Sequence, residues 1–188
     1  MSYIDDIKNF QPECEQEEKD KCLIIELMQK YSEKILYRES ELFHITSAGI
    51  IVNEALDKTL MVHHNIYHSW SWTGGHADGE KDLCAVAVRE IKEETGILSV
   101  KKILESPISV DILTTGAHEK RGNYISSHLH LNISYLFAAD EKETIRIKPD
   151  ENTGVKWIPI SEIKEYVKDK EMKKVYEKII KKLKKCGN

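Results

Sequence analysis

The chain is poor in the residues that interrupt, cross-link or anchor a protein: 188 residues hold only 9 glycines, 4 prolines and 4 cysteines. It also has no apolar run of the roughly 18 residues that a bilayer-spanning helix requires. That absence argues against membrane insertion. MSYIDDIKNF has no charged leader followed by an apolar stretch, so secretion is unsupported and a cytoplasmic location is expected. No Pro-, Gly- or Ser-rich linker divides the chain, so one core is expected, with residues 1–40 as an N-terminal helical extension packed on a domain at 41–188. Cys14, Cys22, Cys84 and Cys186 form no C-x-x-C pair, and Cys84 lies inside an apolar helical pattern, which predicts free thiols in a reducing compartment. A net charge of -4 gives no global reason to expect nucleic acid as a partner, although the C-terminal end is rich in lysine.

What is present is a clear alternation of helix and strand patterns. Leu23, Ile24, Leu27, Met28, Tyr31, Ile35 and Leu36 recur at helical spacing and predict an amphipathic helix within 13–38. Residues 44–54 and 58–64 are β-branched and apolar runs around a polar turn, and read as a strand pair. HSWSWTGG places Trp70 and Trp72 on one face before two glycines that are expected to stop the strand. A helix should begin near Asp78 to Asp82 and end at Gly96. Residues 100–113 read as one or two strands broken at Pro107, 114–123 as a polar loop, and 124–139 as one long strand. After a charged loop come a short strand at 155–158 and a Lys-rich helix over 161–185 whose Ile163, Val167, Val175, Ile179 and Leu183 mark a packed face.

The chemistry concentrates in residues 74–97, GGHADGEKDLCAVAVREIKEETGI. At about 100° per residue, Glu94 lies roughly 40° from Glu90 and Glu93 roughly 60° to its other side, so all three can reach one cation. Like charges on one helix face repel, and a divalent metal would offset that cost. Their i, i+4 spacing makes Glu90 and Glu94 the direct ligands expected from geometry, with Glu93 a ligand or an outer base.

These residues resemble the Nudix hydrolase box, G-x5-E-x7-R-E-U-x-E-E-x-G-U with U aliphatic. With Gly75 at its start, Arg89, Glu90, Ile91, Glu93, Glu94, Gly96 and Ile97 all fall on their expected positions. One position departs: Lys81 stands where the box has glutamate, and Glu80 or Asp82 could pair with Arg89 if the loop shifts by a residue. The resemblance covers roughly residues 44–165 and implies an α/β/α sandwich with a mixed central sheet, flanked here by N-terminal and C-terminal helices. It implies Mg2+, with Mn2+ as a substitute, held by Glu90, Glu94, Glu93 and a backbone carbonyl at Gly74 or Gly75. It also gives Arg89 the role of orienting the glutamates, and adds a further carboxylate at Glu151, six residues before Trp157, with Asp150 as its neighbour. Glu151, Glu119 and Glu93 stay open as general base, and the catalytic set is Glu93, Glu94, Glu151 and Arg89. The implied reaction is hydrolysis of a phosphoanhydride by metal-activated water, in a small, nucleotide-derived diphosphate.

Substrate contacts are expected from His118, Glu119 and Arg121 in the polar 114–123 loop, and from Trp72 as a stacking surface. His63, His64, His68 and His76 lack zinc-type spacing and read as ordinary polar positions, whereas His128 and His130 share a strand face. Two rivals keep the fold. Isopentenyl diphosphate isomerases resemble the family but need a nucleophilic cysteine, and Cys84 sits inside the helix. A non-catalytic nucleotide sensor would typically have lost the box carboxylates. The N-terminal helix could also serve a homodimer.

Overall fold

The computed structural model describes residues 3–66, 68–120 and 122–186. Helices α1 (Tyr3–Asn9) and α2 (Glu15–Tyr31) precede β1 (Phe43–Val52) and β2 (Lys58–His64). Helix α2 stops short of the expected boundary, and Ser32, with φ of 50°, turns the chain into a 3-10 segment over Ser32–Leu36. Next come β3 (Ser69–Ser71), β4 (Thr73–His76), α3 (Leu83–Thr95), β5 (Lys101–Lys102) and β6 (Ser109–Thr115). The glycines do not stop the strand, because β4 runs through Gly74 and Gly75 paired to β1. Instead of a loop at 114–123, β7 (His118–Lys120) and β8 (Asn123–Ile125) form a separate hairpin. The long strand is therefore shorter than its pattern, as β9 (His128–Ala138) begins after a break at Ser126 and Ser127. β10 (Asn152–Pro159), α4 (Ile163–Tyr166) and α5 (Lys170–Cys186) complete the chain. The Lys-rich helix is split because Val167 turns into the core, and Asp169 then accepts hydrogen bonds from the Glu171 and Met172 N–H groups to start α5.

The main sheet runs β10-β2-β1-β9-β5 and is mixed: β1 is parallel to β9 and antiparallel to β2 and β4. Its two faces carry different cores. Odd-numbered positions of β9, from Leu131 to Phe137, pack with α1, α2 and α3 through Ile7, Ile24, Leu83, Ala87 and Ile91. Ile50, Val52 and Leu136 face the other way and meet Tyr176, Ile179 and Leu183 of α5. This is the α/β/α sandwich, with helices on both faces, so the central strands β1, β2 and β9 are buried in near-continuous runs. Towards the start of β1, however, the α5 side of the sheet is polar: His44, Thr46 and Ala48 pair with His130, Asn132 and Ser134. A cavity of about 510 Å3 lies over that polar patch. Among the described residues, no helix is long and apolar enough to cross a membrane, and Cys14, Cys22 and Cys84 are free thiols.

Candidate metal and hydrolytic centre

Helix α3 presents the carboxylates because both of its ends are fixed. The Asp82 carboxylate accepts the Ala85 N–H at 2.9 Å as N-cap, and Gly96 closes the other end in the left-handed conformation at φ 80°. Leu83, Val86, Ala87 and Ile91 are buried on the side of the helix that Glu94 continues, which seats that side against the sheet. A Cβ built on Gly75 would lie 2.4 Å from Glu90 Cδ, so only glycine lets β4 approach that carboxylate. Glu94 reaches back under the same strand, accepting the Gly74 N–H at 2.9 Å. Its backbone carbonyl accepts the buried Asn152 amide at 2.9 Å, which ties the start of β10 to the helix.

The loop before β10 supplies the third carboxylate. One ligand oxygen each from Glu90, Glu94 and Glu151 lies within 4.8 Å of the others. Lys148 bridges Glu93 at 2.8 Å and Glu151 at 3.1 Å, and these partners, acting against burial, hold its ammonium above the ordinary lysine range. Arg89 pairs with Glu90 at 3.1 Å and donates to the His76 carbonyl at 3.3 Å. Neither Glu80 nor Asp82 pairs with it: Glu80 accepts the Lys81 and Asp82 N–H groups, and Asp82 caps the helix. The Lys81 side chain turns away to Glu33 on the surface.

Burial dominates the electrostatics of the centre. Burial pushes the Glu94 carboxyl up to about 8, and the nearby Glu90 and Glu151 charges add to that shift against the Gly74 N–H. Burial likewise raises Glu90, opposed by Arg89. A close-approach glycine, a nearly buried carboxyl and three oxygens within reach of one ion are what a hard divalent cation fits. The centre floors a cleft of about 870 Å3 that Arg38, His64, Asp78 and Lys148 also line.

Not every expected residue gathers there. Glu90, Glu93, Glu94, Glu151, Gly75, Arg89 and Asp150 line the cleft. Trp72 does not; it is 8% exposed, donates its indole N–H to Thr59 at 2.7 Å, packs on Tyr176 and lines the neighbouring cavity. His118 and Glu119 lie on the β7–β8 hairpin, outside the residues lining either space, and Arg121 lies outside the described residues. Lys148 and the bidentate Arg38–Asp78 pair were not anticipated. Both are ordinary charged residues in polar stretches, with no spacing to mark them.

The NUDIX domain family profile matches residues 43–183. The chain therefore belongs to the Nudix hydrolase family. No curated protein matches it in sequence. Among solved structures it is similar to the dihydroneopterin triphosphate pyrophosphohydrolase of E. coli, at 15% identity and a TM-score of 0.53, over 72% of this chain and 94% of that one. The NUDIX domain of Shewanella oneidensis NrtR, determined with ADP ribose, gives 14% identity and a TM-score of 0.52 over 84% and 97% of the two chains. The C. elegans Ap4A hydrolase gives 18% identity and a TM-score of 0.50 over 71% and 93%. At these identities the likeness is one of fold.

Proposed function

We propose that this protein hydrolyses the phosphoanhydride of a nucleoside diphosphate linked to a second moiety, using Mg2+ or Mn2+ held by Glu90, Glu94 and Glu151 with the Gly75 carbonyl. The observation that carries this reading is the three carboxylate oxygens within 4.8 Å of one another at the floor of an open cleft. A cation bound there would neutralise the diphosphate oxygens and help to ionise the attacking water. The protein's own groups do the rest. Arg89 fixes the Glu90 carboxylate, and the Gly74 N–H and Asn152 fix Glu94. Glu93 lines the cleft outside the triad and is the general base we assign, whereas Glu119 is not among the cleft-lining residues. Lys148 and Arg38 supply positive charge for substrate phosphates. The adjoining cavity, walled by Trp70, Trp72, Met172 and Tyr176, suits the nucleoside or the second moiety. Phe10, Ile24 and Ile35 complete the core below α3, so residues 1–40 are proposed to be needed for the domain at 41–188 to fold.

The test is a substrate panel of ADP-ribose, dinucleotide polyphosphates, nucleotide sugars and nucleoside triphosphates, with Mg2+, with Mn2+ and with chelator. Metal-dependent release of a nucleoside monophosphate, with 18O from labelled water on phosphorus, is the expected result. Turnover that leaves the diphosphate intact, or no turnover of any member, would overturn the proposal.

A further inference from the structure

On the far side of β4 from the carboxylates, the sheet gathers histidines. His44 on β1 pairs in register with His130 on β9, and Thr46 pairs with His76 on β4, so all three imidazoles rise from the same polar face. One ring nitrogen each from His44, His76 and His130 lies within 4.8 Å of the others. The His44 ring centroid is 4.9 Å from that of His76, 4.9 Å from that of His128 and 5.1 Å from that of His130.

Most hydrogen bonds of this cluster fall on the Nδ1 side of its rings. His44 Nδ1 is 3.1 Å from the Ser40 carbonyl, His128 Nδ1 is 2.8 Å from the Ser126 carbonyl, and His130 Nδ1 is 3.3 Å from Thr115 Oγ1. The Ser40 carbonyl can accept the His44 Nδ1–H, which leaves the His44 Nε2 lone pair directed inward, the arrangement that fixes ligating histidines around a metal. His44 is 4% exposed, yet its Nε2 has no hydrogen-bond partner. His128 Nε2 and His130 Nε2 share a hydrogen bond at 3.0 Å, and an ion on His130 would take the place of that bridging proton. Four imidazoles on a buried sheet face exceed what core packing needs, and a lone pair with no donor is costly there.

We infer that His44, His76 and His130 form a second metal site, separate from the carboxylate centre, for a borderline transition cation of the Zn2+ class. Imidazole nitrogen favours such ions, whereas the oxygens of the neighbouring centre favour Mg2+ or Mn2+. The two sites sit back to back on β4, where Gly75 meets Glu90 and His76 enters the histidine cluster. His76 and His130 also line the 510 Å3 cavity, and His76 lines the carboxylate cleft as well, so an ion held there would be accessible from the cavity. An ion there would staple β1, β4 and β9 and offer a Lewis acid to a group bound in the cavity.

The experiment uses the full chain stripped of metal, as wild type and as a Glu90→Gln/Glu94→Gln variant that removes the carboxylate centre. Each is loaded with Zn2+ or Co2+ in a large excess of Mg2+ and desalted. One equivalent retained by both forms is expected, together with intense visible ligand-field absorption for Co2+ and shifted imidazole 15N resonances for Zn2+. His76→Asn and His130→Asn should each weaken retention at least about 100-fold, while His63→Asn, outside the cluster, should leave it unchanged. Absence of retained ion from the double variant, or retention that survives both cluster substitutions, would overturn the inference. Should a substituted chain not fold, the 15N resonances of the wild-type rings decide: unshifted His44, His76 and His130 signals with Zn2+ present would equally refute it.

Discussion

Glu17 and Glu94 are both nearly buried, at 0% and 3% exposure, yet their surroundings are opposite. Burial alone would raise the Glu17 carboxyl, but the Glu13 N–H at 2.9 Å, the Lys182 ammonium at 2.6 Å and Lys178 at 3.2 Å outweigh it and hold it below its usual range. Its neighbour Asp111 is also buried; it pairs with Lys178 and accepts the Ser109 hydroxyl at 2.6 Å. That network joins α2, β6 and α5 and is complete within the chain. Around Glu94 the nearest charges are two further carboxylates, and the group is left with a carboxyl near 8. A buried charge matched by the protein's own cations holds a fold together, whereas one left unmatched marks where something else is to bind.

The sharpest way to break this comparison is Glu94→Gln. Removing one ligand should lower kcat/KM on the order of 10^3-fold. Because the fold disfavours the ionised Glu94, the metal-free wild type loses stability as pH rises from the ordinary 4.5 towards about 8. The metal-free variant should therefore be more stable than wild type at pH 8, by on the order of 2 kcal/mol in urea unfolding. A variant that loses both activity and stability would place Glu94 with Glu17 as a structural charge.

Lys182→Met is the mirror experiment. It strands Glu17 without its closest cation and should cost about 3 kcal/mol of unfolding free energy, with turnover per folded molecule unchanged. A smaller effect follows from the Glu94 proton, which must leave for a cation to bind. Below pH 8, Mg2+ affinity should rise by up to about tenfold per pH unit and then level off; calorimetry in buffers of different ionisation enthalpy would count the released protons. Smallest of all is Lys81→Glu, which restores the residue usual in the box. Lys81 reaches Glu33 and not Arg89, so activity should stay within about twofold of wild type. A marked gain would show that Arg89 is poorly held by Glu90 alone.

The carboxylate helix was legible from sequence because its geometry is local. With about 3.6 residues per turn, Glu90 and Glu94 share a face wherever the helix lies, and Asp82 and Gly96 announce its ends. The strands were equally legible, β1 and β2 as β-branched apolar runs and β9 as an alternating one. The pattern failed at Gly74 and Gly75, which read as a strand stop but form the strand that approaches Glu90. It failed again at 114–123, where a polar hairpin has no apolar face to mark it.

By itself, then, the sequence determined the three-carboxylate face, which helical periodicity fixes without reference to the rest of the chain, while the class of chemistry is what the resemblance carried by Gly75, Arg89 and Gly96 implies. Tertiary structure decided which third oxygen joins Glu90 and Glu94, bringing Glu151 in and leaving Glu93 with Lys148. It also decided that Lys178 and Lys182 neutralise Glu17, and that His44, His76 and His130 meet at all. Those groupings depend on the β10 anchor at Asn152, the seat of α5 and the parallel register of β1 on β9. None of these is a repeat distance along the chain; each is set by how separate elements pack.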